Sequence, residues 1–275
     1  MLIEADLSAK DCKASSGREP LHMTTLGPDG GHAEAAALLL DSGANVNAQE
    51  YNEYTTLYWA AMYNAHRIVD VLIAYGCDLD PIVHLHDENQ TPLMRAIDNG
   101  HHVIAEKLIA AGARLDTIGR GGRTPLVTAV LTGKPLVVQL LLLAGCDVNL
   151  AIRNGTTPFR ASLRKAPLIT EMLVLAGSRV PRDFACNITG PFPMAKYPSL
   201  LEWLIWCSFN PQSLQFLCRS VIRTALGFRP AEKLDWLSPS PIPFRVKEFL
   251  LCKELDDVID RYSNITKETP RVDSS

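Results

Sequence analysis

The sequence predicts an all-α fold assembled from repeated pairs of short helices. One observation is the composition: 47% of the 275 residues are apolar but only 7% are aromatic, which is typical of closely packed helices rather than of a β-sandwich or barrel. The other is that similar segments recur with a period near 33 residues, which indicates a repeat architecture. The formal net charge of −3 argues against the basic field of a general nucleic-acid-binding protein.

Each repeat is recognised by a Thr that precedes its first helix and a Gly that follows its second. In three copies the Gly lies 21 residues after the Thr. These copies run from Thr55 to Gly76, from Thr91 to Gly112 and from Thr124 to Gly145. Weaker copies flank them, from Glu19 to Gly43 and from Thr157 to Gly177. Atypical first and last copies are expected in a stack of repeats, because its ends face water.

The signals within a repeat predict two antiparallel helices. The hydroxyl of Thr91 or Thr124 suits an N-cap, and the Pro that follows suits the first helical position, where a missing N–H has no cost. The second helix has an apolar stripe, for example at residues 140–142, and starts with Pro135 or Pro167 in the last two repeats. The closing Gly suits the left-handed conformation that ends a helix. A polar loop then leads to the next cap.

These landmarks make the chain resemble the ankyrin-repeat family, together with Gly31-His32, Gly100-His101 and Gly43-Ala-Asn-Val-Asn47. The resemblance covers residues 19–180, in about five repeats, and leaves residues 1–18 as an N-terminal segment. It implies a solenoid whose concave surface and row of loops bind a protein. The predicted function of this part is therefore recognition.

The loop after Gly76 is three residues longer than its counterparts and is predicted to contact the bound protein. The residues assigned to this substrate-binding surface are Ile82, Val83, His84, Leu85 and His86. Their apolar members are unusual for a solvated loop, and the alternative is that they pack against neighbouring repeats. His84 and His86 have the spacing of a metal-binding pair on a strand, but no third ligand accompanies them, so we predict no metal site.

Other candidates for chemistry in the repeats have structural explanations. Cys77 and Cys146 occupy a position that is Ala in sister repeats, which favours small packing residues over reactive thiols. His101 lies in a Gly-His turn, where a structural hydrogen bond is the usual role. No catalytic set and no cofactor-binding motif stands out, so we predict no catalytic residue and no cofactor.

The repeat pattern ends at Pro181, and a different region follows. Pro and Gly are too frequent in residues 181–198 for another repeat. Residues 200–207 are typical of a short apolar helix, so residues 181–210 are predicted to form a linker and a capping helix. From Pro211 the apolar residues return at the spacing of one helical face. Residues 211–250 are too few to bury a core alone, so we expect this face to bind a partner.

The pattern Ser213-Leu214-x-x-x-Cys218-x-x-x-Ile222 resembles the elongin-binding box of the SOCS box. The resemblance implies a small three-helix module at residues 211–250, followed by a C-terminal tail at 251–275. It also implies that Leu214 and Cys218 enter a pocket of elongin C and that elongin B joins the complex. The residues assigned to elongin C are Leu214, Leu217, Cys218, Val221 and Ile222.

A second motif lies about 20 residues downstream and is similar to the cullin-5 box of the same module. It implies that cullin-5 binds here together with a RING subunit. The residues assigned to the cullin are Pro241, Ile242, Pro243, Val246 and Phe249. The box normally has Leu where this chain has Ser240, a change that removes one apolar contact to the cullin.

Taken together, the two resemblances identify the chain as a member of the ankyrin-repeat and SOCS box family. They imply a non-catalytic, substrate-recognition adaptor of an elongin B/C–cullin-5 ubiquitin ligase. Two alternatives are a non-ligase ankyrin scaffold whose C-terminal segment is structural, and an enzyme that uses Cys207 or Cys218 as a nucleophile. Seven Cys without a CxxC pair, and first residues unlike a secretory signal, favour the cytoplasm or the nucleus. We predict no membrane and no nucleic-acid partner.

Overall fold

The computed structural model describes residues 14, 16–27, 32–83, 90–153, 155–164, 167–181 and 204–205. Every regular element in these ranges is helical, with no strand, so the predicted all-α class is confirmed. Isolated bridges in the loops join Gln49 to Thr55 and Val83 to Gln90. The chain divides into two compact units, residues 1–128 and residues 129–275.

The first unit is built from pairs of helices joined by short turns. The pairs are α1 (Pro20–Met23) with α2 (Ala33–Asp41), α3 (Thr56–Tyr63) with α4 (His66–Ala74), and α5 (Pro92–Asn99) with α6 (His102–Ala111). First helices pack on first helices, α3 against α5, and α4 packs against both α2 and α6. The core between them is fully buried and includes Leu57, Leu72, Leu93, Ile97 and Leu108.

Helix α7 (Pro125–Thr132) crosses the division between the units, and three helices follow it within the described part of the second unit. They are α8 (Pro135–Ala144), α9 (Pro158–Ser162) and α10 (Pro167–Leu175). Helix α10 packs against both α8 and α9, around the fully buried Phe159 and Leu173. Pro135 and Pro167 begin their helices as predicted. Beyond residue 181, Leu204 and Ile205 are helical and Leu204 is buried.

The predicted Thr caps are present in four successive repeats. Thr55, Thr91, Thr124 and Thr157 each accept a hydrogen bond at their hydroxyl from the backbone N–H three residues later, over 3.2 to 3.4 Å. This bond satisfies one of the free N–H groups at the start of a helix. The caps therefore fix where each first helix begins.

The first repeat departs from this pattern, because its first helix has only four residues and begins after Glu19. The His22 side chain stabilises this short helix instead. Its Nδ1 accepts a hydrogen bond from the Glu19 N–H at 3.2 Å, and its Nε2 contacts the carbonyls of Ala48 at 3.1 Å and Tyr54 at 3.2 Å. With Nδ1 as acceptor, Nε2 carries the proton of a neutral ring. Burial lowers the pKa of His22 below its ordinary value.

A polar residue four positions after the closing Gly ties several repeats to the next one. Asn47 Oδ1 accepts from the Asp78 N–H at 2.8 Å, and Asp80 Oδ1 accepts from the Arg114 N–H at 2.9 Å. In the second unit, Asn149 Oδ1 accepts from the Arg179 N–H at 2.9 Å. These bonds set the spacing between consecutive loops.

Candidate functional site

Four aromatic side chains form a cluster on and beside α3, named here the aromatic cluster. The rings of Tyr54 and Tyr58 stack with centroids 4.7 Å apart, and those of Trp59 and Tyr63 stack at 5.3 Å. Tyr54 also meets Trp59 edge to face at 6.0 Å. Tyr58 is fully buried, whereas Tyr63 is 46% exposed. The cluster therefore presents one exposed ring on a packed base, and aromatic residues are common anchors at protein interfaces.

The residues just before α1 cover part of this cluster. The Arg18 guanidinium lies 4.0 Å from the centre of the Trp59 ring, as a cation–π contact. Arg18 Nε also lies 3.6 Å from a carboxylate oxygen of Glu50, whose side chain is fully buried. Because a buried carboxylate requires a partner, this ion pair fastens Arg18 to the second repeat. Arg18 therefore packs against the second repeat, although the sequence assigned residues 1–18 to an N-terminal segment.

A chain of hydrogen bonds connects the aromatic cluster to α5. Arg95 Nε donates to Tyr58 Oη at 2.7 Å, and that hydroxyl donates to Gln90 Oε1 at 3.3 Å. Gln90 Nε2 donates in turn to Asp98 Oδ2 at 2.8 Å. The Arg95 guanidinium carbon lies 5.2 Å from the centre of the Tyr58 ring. Since Tyr58 and Gln90 are buried, the network holds the Arg95 and Asp98 side chains in place on α5.

A cavity of about 370 Å³ lies between α5 and the segment that leads into α7. Among the described residues, the charged side chains that line it are Arg95, Asp98 and Arg123. Gln90 and Met94 also line it, and both are almost fully buried. The cavity therefore combines charged groups, of which Arg95 and Asp98 are held by the network on α5, with the apolar side chain of Met94.

The sequence alone did not identify the aromatic cluster or the cavity. Trp59, Arg95 and Thr128 each lie four residues after a capping Thr, and Arg95 and Thr128 both line the cavity. Equivalent positions of successive repeats lie on the same side of the helix pairs. A comparison of the residues four positions after each capping Thr could therefore have identified this side from the sequence. Arg123 comes directly before the cap of α7, and no sequence pattern distinguished it.

The two described residues of the predicted substrate-binding loop differ in their burial. Ile82 is 37% exposed, but Val83 is fully buried and pairs with Gln90. The assignment of Val83 to a contact surface is therefore wrong, because its side chain packs in the core as the alternative interpretation required. His84, Leu85 and His86 lie outside the described residues.

The residues assigned to the SOCS box partners also lie outside the described residues. Those assigned to elongin C are Leu214, Leu217, Cys218, Val221 and Ile222, and those assigned to the cullin are Pro241, Ile242, Pro243, Val246 and Phe249. Their roles remain predictions. The same is true of Cys207, the other residue considered as a nucleophile.

Other residues with potential chemistry take structural roles, and the thiols show this most clearly. Cys77 and Cys146 are free and buried, and burial raises the pKa of Cys77 to about 11, which keeps its thiol protonated near neutral pH. His101 Nδ1 contacts the Ala61 carbonyl at 2.9 Å, which is the structural bond predicted for it. Within the described ranges, no three potential ligands come together around a metal position. No helix in those ranges is long and apolar enough to cross a bilayer.

Comparison with protein families gives two matches. The model for ankyrin repeats, three copies of the repeat, matches residues 1–83 and 80–152, and the model for the SOCS box matches residues 210–251. A search of curated proteins found no match. A SOCS box implies the role of an adaptor for an elongin B/C–cullin ubiquitin ligase, and ankyrin repeats imply protein binding. The chain belongs to the ankyrin-repeat and SOCS box family.

Proposed function

We propose that this chain is the substrate receptor of an elongin B/C–cullin-5 RING ubiquitin ligase. The observation that carries the proposal is the order of the matched regions, with ankyrin repeats followed by a SOCS box. The repeats hold the protein to be modified, and the SOCS box recruits the ligase. The chain forms no covalent bond itself. It raises the effective concentration of substrate lysines near the loaded ubiquitin-conjugating enzyme.

On the elongin side, Leu214 and Cys218 are the proposed contacts with elongin C. Burial of a Leu side chain contributes roughly 1.5–3 kcal/mol, so Leu214→Ala should weaken elongin binding about ten- to hundredfold. The measurement is the Kd of purified elongin B/C for the full-length chain. Arg219→Ala is the matched control, because Arg219 lies on the same predicted helix but off its apolar stripe.

Two outcomes of the elongin experiment would refute parts of the proposal. If the intact chain does not bind elongin B/C, the ligase proposal fails and the non-ligase scaffold becomes the better explanation. If Leu214→Ala and Arg219→Ala weaken binding equally, the assignment of the apolar stripe to elongin C is wrong.

On the cullin side, the proposed contacts are made by Pro241, Ile242, Pro243, Val246 and Phe249. We expect the elongin-bound chain to bind cullin-5 more tightly than another cullin. Ser240→Leu should strengthen that binding, because it adds an apolar side chain where the family pattern has one. Binding of the other cullin with equal affinity would refute the choice of cullin-5.

The bound protein is proposed to lie on the ankyrin face that carries the aromatic cluster. The exposed ring of Tyr63 supports this choice, as does the polar cavity, whose lining residue Arg95 is bonded to Tyr58 of the cluster. In cells, a chain with both Leu214→Ala and Cys218→Phe should still capture the substrate but should not promote its ubiquitination. A substrate whose ubiquitination is unchanged by the double substitution would contradict the proposal. We place this activity in the cytoplasm or the nucleus.

A further inference from the structure

We propose that the cavity beside α5 is a carboxylate-binding subsite that takes an Asp or Glu side chain of the bound protein. The proposal rests on the proposed function of the repeats as a substrate receptor, and it adds the chemistry that the substrate must present. The cavity volume of about 370 Å³ is near the lower end of ligand pockets, roughly 300–1,000 Å³. It therefore has room for an acidic side chain and is too small for a large cofactor.

Charge favours an acidic group. Arg95 and Arg123 line the cavity, against one carboxylate from Asp98. One oxygen of that carboxylate already accepts the Gln90 amide at 2.8 Å, which holds Asp98 against its own helix. Among the described residues of the lining, two guanidiniums stand against one carboxylate, and a guanidinium binds a carboxylate with a geometry that a lysine does not reproduce.

The Arg95 side chain is held in position before any acid binds. Its Nε donates to the buried Tyr58 hydroxyl at 2.7 Å, and its guanidinium lies over the Tyr58 ring. An arginine held in this way loses little side-chain entropy when an acid binds, because its position is already set. The contacts that restrain Arg95 come from the preceding repeat, so the packing of α3 against α5 creates the subsite.

Arg123 also lines the cavity, from the segment that leads into α7. Its carbonyl accepts the Gly119 N–H at 2.8 Å, which closes a tight turn, and Gly121 adopts a φ of 66° within that turn. The Arg123 side chain is exposed, and no ion pair involves it among the described residues. Two guanidiniums from successive repeats thus line one opening, with the buried Met94 available to the methylene groups of an acidic side chain.

The test selects peptides with the full-length chain in the presence of elongin B/C. The probe is a random library of 12-residue peptides, each linked at both ends so that no free terminus is presented. We expect the enriched peptides to share an Asp or Glu. Replacing that acid by its amide should weaken binding to the unaltered chain about tenfold, since a hydrogen bond to a charged group is lost.

Two variants decide the site. On Arg123→Gln, the acidic peptide and its amide counterpart should bind equally, while Arg67→Gln should leave the tenfold difference unchanged, because Arg67 is an exposed arginine on α4. An enriched set without an acid, no enrichment at all, or a difference that survives Arg123→Gln would overturn the proposal. The elongin experiment is independent: Leu214→Ala should leave peptide binding intact, so the two proposals can fail separately.

Discussion

Removal of the Tyr58 hydroxyl by Tyr58→Phe tests whether the hydrogen-bond chain between α3 and α5 stabilises the fold. The hydroxyl accepts from Arg95 Nε at 2.7 Å and donates to Gln90 Oε1 at 3.3 Å. Phe preserves the ring and therefore its stacking on Tyr54 at 4.7 Å. The substitution therefore separates the hydrogen bonds of the hydroxyl from the packing of the ring.

The expected loss follows from how exposed each partner is. Arg95 is half-buried, so water can replace part of its lost bond, but Gln90 is only 6% exposed and its amide oxygen cannot be solvated as easily. A net hydrogen bond contributes about 0.5–1.5 kcal/mol, and one to a charged group about 1.5–3 kcal/mol. The bond to Gln90 is long, so its contribution lies at the low end of the range for a neutral hydrogen bond. We expect a loss of about 2 kcal/mol in the free energy of unfolding.

The assay is thermal unfolding of the full-length chain followed by circular dichroism. For an array of this size, 1 kcal/mol corresponds to about 2–4 °C, so the midpoint should fall by about 4–8 °C. Tyr63→Phe is the matched control, because it makes the same chemical change on the same helix at a side chain that is 46% exposed. Its midpoint should stay within about 1 °C of the unaltered chain.

Any of three results would refute this reasoning. A midpoint for Tyr58→Phe equal to that of the unaltered chain would mean that the buried network does not stabilise the first unit. A loss of the same size in Tyr63→Phe would mean that hydroxyl removal acts through a general effect on α3. A loss well above about 4 kcal/mol would also contradict it, because it would require the ring itself to move.

Three further predictions concern stability. Burial lowers the pKa of His22 from 6.5, so the unfolded chain binds more protons than the folded chain once the pH falls below about 6.5. The free energy of unfolding should therefore decrease with falling pH until the folded-state pKa of His22 is reached. In urea titrations at several pH values, His22→Gln should remove the part of this decrease that His22 contributes. Thr91→Ala should cost about 1 kcal/mol in denaturant unfolding and Thr91→Ser much less, because only Ser keeps a capping hydroxyl. Phe159→Ala should cost about 3–5 kcal/mol by the same measurement, since this ring is fully buried in the second unit; a loss below about 1 kcal/mol would show that the site is not packed.

The predictions that succeeded rest on interactions between near neighbours. The cap at Thr91 joins residues three positions apart, and Gly112 ends α6 with a φ of 97°. Such features depend on the chemistry of one or two residues and on the backbone beside them. The period of about 33 residues then implied the repeat architecture. The two motifs after residue 211 similarly indicated the SOCS box that the family comparison supports.

The error at Val83 shows where such reasoning stops. Ile82 and Val83 are adjacent and similarly apolar, yet one is 37% exposed and the other fully buried. Their different burial depends on the pairing of Val83 with Gln90, a contact that no local signal encodes. Arg18 is similar, because its place over Trp59 at 4.0 Å depends on the packing of residues from different repeats.

By itself, the sequence determined that the chain is helical, where its repeats begin and end, and which family it resembles. Only the tertiary structure decided which side chains form the proposed binding face. The bond between Arg95 and Tyr58 joins residues 37 positions apart, and it exists because α3 and α5 pack side by side. Helix caps are encoded within a single turn, whereas contacts between repeats depend on how neighbouring helices are stacked. That stacking brings Arg95 and Arg123 to the lining of one cavity.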